Sequence, residues 1–256
     1  MKENKFNYWF SRNFPGLLDF LVKVKNGKKM IPKCDWPEER LIASDMKEYE
    51  EGIGHTFDYN HPVLFTEKLI WYKRNFKGDG HLDRIVDKIN FKSYIEEKLG
   101  PGHTIPLIKT WSTLKDFKKD WDSLPEEFCL KSSINHSGIG VYIVHKKSEV
   151  DFKDVCYHVR LWLNPFYTSL NSYGSAYYTT TPRVLAEEYK ANVANQLFDY
   201  KIFCFDGKPY CVYAAIDHFG DDGSHISFYD MDWNWLDVSY GNHKVRKLTL
   251  PSILRR

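Results

Sequence analysis

The segment that most restricts the fold is Phe128-Cys129-Leu130-Lys131-Ser132-Ser133-Ile134-Asn135-His136-Ser137-Gly138-Ile139-Gly140-Val141-Tyr142-Ile143-Val144. Two β-prone runs flank a small polar loop, so the chain is expected to contain an antiparallel pair of neighbouring strands. Lys131 closes the first run, and a Ser-Gly-x-Gly stretch opens the second. Such a loop exposes backbone N–H groups and hydroxyls without bulky side chains, which suits a polyphosphate, and the lysine adds a point charge at its root. A Walker A loop or a dinucleotide fingerprint would run into a helix, whereas β-branched and aromatic residues follow here. An ordinary hairpin with a glycine turn has the same pattern.

Composition narrows the class. With 256 residues, 43% hydrophobic and 27% charged, the chain can build a large core in one or two domains. A formal net charge of +2 makes no demand for a nucleic-acid partner. Aromatic content of 16% suits flat or sugar-like ligands and equally suits an aromatic core. No apolar run approaches a bilayer span, and Met1–Pro15 has no apolar stretch of signal-peptide type. The five cysteines (Cys34, Cys129, Cys156, Cys204, Cys211) lack metal-ligand spacing and are expected to be reduced residues of a cytoplasmic protein.

Residues 1–60 are expected to be an N-terminal helical and irregular region. Phe65, Leu69, Tyr72 and Phe76 recur at helical spacing and predict an amphipathic helix over Thr66–Phe76. A second helix is expected over Lys88–Leu99, with Asp87 as N-cap and Gly100-Pro101 as stop. A short buried strand is expected at Thr104–Leu107, and helices at Lys115–Trp121 and Asp154–Asn164. Residues 164–181 form a long connection rich in Tyr, Ser, Thr and Asn. Strands are expected at Arg183–Tyr189, Tyr200–Phe205 and Tyr210–Ile216, with Asp206-Gly207 as hairpin turn, and another at Phe228–Asp230. Helices followed by a hairpin-rich half indicate an α+β fold, divided as a first subdomain over 61–164 and a second over 165–256.

Several side chains could carry chemistry. Lys131, at the end of an apolar strand, wants an anion: a phosphate, or a carboxylate such as Glu187 or Asp199. Lys88 stands beside a helix N-terminus, a natural anion site, or is a solvated lysine next to a cap. Glu187 and Glu188 end a strand, where they could meet an adenine amino group and ribose hydroxyls or remain solvated. Lys201 could clamp a phosphate or join a cross-strand ion pair. Asp217, in an acidic turn, and Asp230 with Asp232, in an Asp-x-Asp, are metal candidates that also fit ordinary turns.

The order of these pieces resembles one family. Phe65-Thr66-Glu67-Lys68-Leu69-Ile70-Trp71-Tyr72-Lys73, Asp87-Lys88 and Ile105-Pro106-Leu107 with Trp111 come first. Leu124-Pro125-x-x-Phe128-x-Leu130-Lys131 follows, with the loop Asn135-His136-Ser137-Gly138, then Pro182–Tyr189, Asp199–Pro209 and Phe228–Trp233. Together they resemble the TupA-like ATP-grasp family of bacterial surface-polysaccharide (capsule) gene clusters, from about residue 60 to 235. The resemblance implies two α+β subdomains with ATP between them and Mg²⁺ as companion ion. It implies that Lys88 and Lys131 contact the phosphates beneath a loop of Asn135, His136, Ser137 and Gly138. Glu187 and Glu188 would hold adenosine, and Lys201 the transferred phosphoryl. The implied activity is ATP-dependent carboxylate–amine ligation through an acyl phosphate, with a uronic or amino acid and an amine as partners.

In one respect the chain departs from the family. The family's late Arg-x-Asp-x-Tyr and Gly-Glu-x-Thr strands, which hold Mg²⁺, do not occur up to Arg256. The metal would then fall to Asp217, Asp230 or Asp232, or the chain would be a truncated or inactive nucleotide-binding member. A metal-dependent glycosyltransferase using Asp230-Met231-Asp232 is the other enzyme class that the residues allow.

Overall fold

The structure is a computed structural model that describes residues 36–75, 81–136, 139–165, 180–190, 199–216, 225–239 and 244–248. It has two antiparallel four-stranded sheets and six helices among these residues, an α+β architecture. The chain divides into two compact units between Tyr189 and Lys190.

The first unit begins with helices α1 (Glu38–Ile53) and α2 (Phe65–Asn75). Glu67 caps the start of α2 by accepting from the N–H groups of Val63 (2.7 Å) and Leu64 (2.8 Å). The two helices are tied by charge. Asp45, 1% exposed, receives Arg74 through two hydrogen bonds (2.6 and 3.0 Å) and Lys73 through a third (3.0 Å). The expected apolar face of α2 is therefore not its buried one. Phe65, Leu69 and Tyr72 are about half exposed, while Glu67 and Arg74 are buried. Phe76 lies outside the described residues.

Helices α3 (His81–Val86) and α4 (Lys88–Leu99) follow. The boundaries of α4 are those expected from the sequence. Asp87 accepts from the N–H groups of Ile89 (2.8 Å) and Asn90 (3.0 Å), and Gly100, at φ 84°, closes the last turn onto the Glu96 carbonyl.

Next come β1 (Leu107–Trp111), α5 (Leu114–Asp120), β2 (Phe128–Ser132), β3 (Val141–Val144), α6 (Phe152–Trp162) and β4 (Val184–Glu187). The short strand expected at 104–107 starts only at Leu107, because Pro106 has no N–H to offer a ladder; its carbonyl instead accepts from Glu188 N–H at 3.0 Å. It is also not buried throughout, since β1 is an edge strand with Leu107 42% exposed.

The sheet order is β1-β4-β2-β3, all antiparallel. β4 thus fills the gap between β1 and β2. A second subdomain starting at residue 165 does not fit this, because the 184–187 strand belongs to the first sheet. One face of that sheet packs Trp111, Phe128, Leu130, Val144, Val184 and Ala186 against Phe117 of α5 and Val155, Val159 and Trp162 of α6. Strand alternation turns Cys129, Lys131, Leu185 and Glu187 to the other face, with Cys129 opposite Glu187 and Lys131 opposite Leu185.

The second unit is a meander of β5 (Asp199–Phe205), β6 (Lys208–Ile216), β7 (His225–Asp230) and β8 (Trp235–Leu236). Asp206 and Gly207 both have positive φ (50° and 72°), the two-residue hairpin turn expected from Asp-Gly. Val212, Ala214 and Tyr229 form one apolar cluster, with Tyr229 stacked on Trp233 at 4.2 Å. Among the described residues no helix is long and apolar enough to cross a membrane.

Candidate functional site

Charged side chains gather on the second face of the first sheet. Lys131 points from β2 to the carboxylate of Glu187 on β4, and its Nζ donates to Oε1. The other oxygen, Oε2, receives Lys92 of α4 at 2.8 Å, and Lys92 also donates to the Ile105 carbonyl at 2.6 Å. Glu187 is 3% exposed, so its charge is carried by these two lysines.

Lys88 enters from the first turn of α4. Its backbone N–H donates to Ser133 O at 2.8 Å and its Nζ to the Asn135 carbonyl, which pins the helix start to the loop after β2. Burial, then the neighbouring Lys131 charge, push the Lys88 ammonium down to about 8. Asp87, fully buried, takes Arg183 at 3.0 Å, and the same guanidinium nitrogen reaches Asn90 Oδ1 at 2.8 Å. Ser133 completes the junction, donating its N–H to Arg183 O (2.8 Å) and accepting from Arg183 N–H at Oγ (3.1 Å).

Charge in this cluster does not cancel. Lys88, Lys92, Lys131 and Arg183 face Asp87 and Glu187, which leaves two positive charges over among these described residues. Partly buried cations in excess of their counter-ions make a site for an anion. The buried atoms Ser132 Oγ and Asp87 Oδ2 have no hydrogen-bond partner among the described residues. Ser132 Oγ therefore keeps a hydroxyl donor unused at the loop root.

The loop itself is tightly closed at its base. Ser132 N–H donates to Gly140 O at 2.7 Å, and Gly140 has φ +79°. A Cβ on Gly140 would lie 2.8 Å from Ser132 Cβ and 2.9 Å from Asn135 Nδ2, so only glycine fits. Asn135 is buried, and the His136 carbonyl accepts from Ile139 N–H at 2.9 Å. Ser137 and Gly138 lie outside the described residues.

The remaining candidates have local partners of their own. Glu187, expected on the adenosine side, has both oxygens engaged by lysines in the ligand-free protein. Glu188 is exposed and ties its backbone N–H to Pro106. Lys201 belongs to the second unit, paired with Asp199 on its own strand and 4.5 Å from the ring centroid of its cross-strand neighbour Tyr213. Asp230 accepts from the N–H groups of Asp232 (3.0 Å) and Asn234 (2.7 Å) and from Asn234 Nδ2 (2.9 Å). Those bonds, led by the Asn234 side chain, hold its carboxyl below the usual range. Asp230-Met231-Asp232 is thus a self-capped turn. Asp217 lies outside the described residues. Among the described residues no group of three or more His, Cys, Asp or Glu could hold a metal ion.

Two members of the cluster, Lys92 and Arg183, are not evident from motif reading. Helical spacing would have found the first, since Lys92 is one turn beyond Lys88 on the same face. Strand alternation would have pointed to the second, since Arg183 immediately precedes β4 and keeps the i, i+2, i+4 parity of Glu187.

A family model described as TupA-like ATPgrasp matches residues 67–250. No curated protein and no solved structure matches the chain.

Proposed function

This chain belongs to the TupA-like ATP-grasp family, and on that premise we propose that it is an ATP-dependent carboxylate–amine ligase of bacterial surface-polysaccharide assembly. The observation that carries the proposal is the uncancelled positive charge around Lys88 and Lys131, next to a glycine-sealed loop.

In this reading Lys88 and Lys131 neutralise the triphosphate, and the loop of residues 135–140 lies over it. Lys201 is assigned to the transferred phosphoryl group. A carboxylate oxygen of the acid attacks the γ-phosphorus, and the bond to the β,γ-bridging oxygen breaks to release ADP. The amine nitrogen then attacks the acyl carbon, phosphate leaves with its oxygen, and the amine proton passes to solvent. Positioning and charge neutralisation dominate such a transfer, which is what lysines and backbone N–H groups provide.

Thermal unfolding tests the binding step. ATP at about a hundred times its dissociation constant adds roughly 2.7 kcal/mol, or about 5–11 °C for a chain of this size. Lys131→Ala is expected to remove the shift. Lys201→Ala is expected to leave the shift in place and to slow ADP release in the presence of acid and amine. A shift produced by a UDP-sugar with Mn²⁺, and none by ATP, would overturn the proposal in favour of glycosyl transfer.

A further inference from the structure

Taken alone, Lys131 and Glu187 would neutralise one another. Their ion pair sums to zero and has no charge to offer an incoming anion. Lys92 changes that balance. It holds the second oxygen of Glu187 at 2.8 Å and is itself fixed by the Ile105 carbonyl at 2.6 Å. Side-chain exposure, as distinct from that of the whole residue, grades outward: 4% for Glu187, 13% for Lys92 and 25% for Lys131. Lys131 is therefore the member placed to meet a ligand, and Lys92 the one fixed in the interior.

We propose that Lys92 is a positioning residue for ATP: by holding the Glu187 carboxylate it leaves Lys131 with a positive charge for a phosphate. This rests on the ATP-binding reading above. In the ligand-free protein Glu187 is shared by both lysines. When a phosphate claims Lys131, Lys92 keeps the buried carboxylate paired, so Glu187 neither repels the anion nor has to take up a proton. Lys92 acts on the nucleotide only through Glu187.

That last statement sets the test, because removing Glu187 should make Lys92 dispensable. Dissociation constants for ATP are measured by titration calorimetry on the full chain, each variant being checked for folding by thermal melt. Lys92→Met is expected to weaken binding roughly tenfold or more. Lys92→Arg, which keeps the charge, binds like wild type. Lys92→Met combined with Glu187→Gln regains wild-type affinity. Wild-type affinity in Lys92→Met overturns the proposal, and so does a double variant as weak as Lys92→Met, which would place Lys92 on the phosphate itself. If Lys92→Met does not fold, Glu187→Gln alone decides. Binding no weaker than wild type supports the proposal, whereas weaker binding overturns it by placing Glu187 on the nucleotide. Lack of ATP binding by the wild type defeats the ATP reading and this role together; wild-type binding that Lys92→Met leaves intact defeats this role alone.

Discussion

Lys88 should make nucleotide affinity fall steeply just above neutral pH. Its ammonium titrates at about 8 rather than at the ordinary 10.5, through burial first and the Lys131 charge second, with Asp87 and Glu187 opposing. If a phosphate binds only when Lys88 is charged, the charged fraction falls from about nine-tenths at pH 7 to about one-tenth at pH 9. The apparent dissociation constant for ATP then rises roughly tenfold, about 1.4 kcal/mol. At pH 8 about half the molecules must take up a proton on binding, which calorimetry in buffers of different ionisation enthalpy reads directly. Lys88→Arg stays charged throughout and serves as the control, since it keeps the titration of ATP and loses that of the lysine. Stability of the ligand-free protein should move the other way. The unfolded chain holds more protons than the native one between about pH 8 and 10.5, so this group makes the fold more stable as pH rises through that window. Equal pH slopes for wild type and Lys88→Arg would refute the reasoning.

Three further outcomes follow from local geometry. Gly140→Ala forces a Cβ to 2.8 Å from Ser132 Cβ at φ +79°, which should cost on the order of 1–3 kcal/mol of stability in urea titration; an unchanged midpoint would contradict the tight loop base. Lys147 donates to the carbonyls of Trp121 (3.2 Å), Asp122 (3.1 Å) and Leu124 (2.5 Å), so Lys147→Met should lower the melting temperature through a loss of about 2–4 kcal/mol, with ATP affinity kept. Asp230→Ala should lower the melting temperature without altering ATP affinity, because its carboxylate caps a turn. That contribution is present above the unfolded-chain pKa and is lost as pH falls through the depressed native value, so wild type and variant should converge in acid.

Local signals in the sequence account for much of the scaffold. Asp87 and Gly100 bound α4, Asp206-Gly207 makes its hairpin turn, and the apolar runs around Lys131 become β2 and β3. Each is specified by hydrogen bonds and φ/ψ preferences within a few residues, which short-range pattern captures. Lys88 and Lys131 were also legible, because a cation at a helix start and a cation closing an apolar strand both call for an anion.

The partners of those lysines were decided by the tertiary structure. Glu187 stands 56 positions from Lys131, and they meet only because β4 inserts between β1 and β2. The same strand order sets Glu187 beside Lys92 and Arg183 beside Asp87. Backbone preference acts over a turn of chain, whereas Coulomb attraction acts through space. The residue types therefore announced that charge would be handled, and the sheet topology settled which charges face one another.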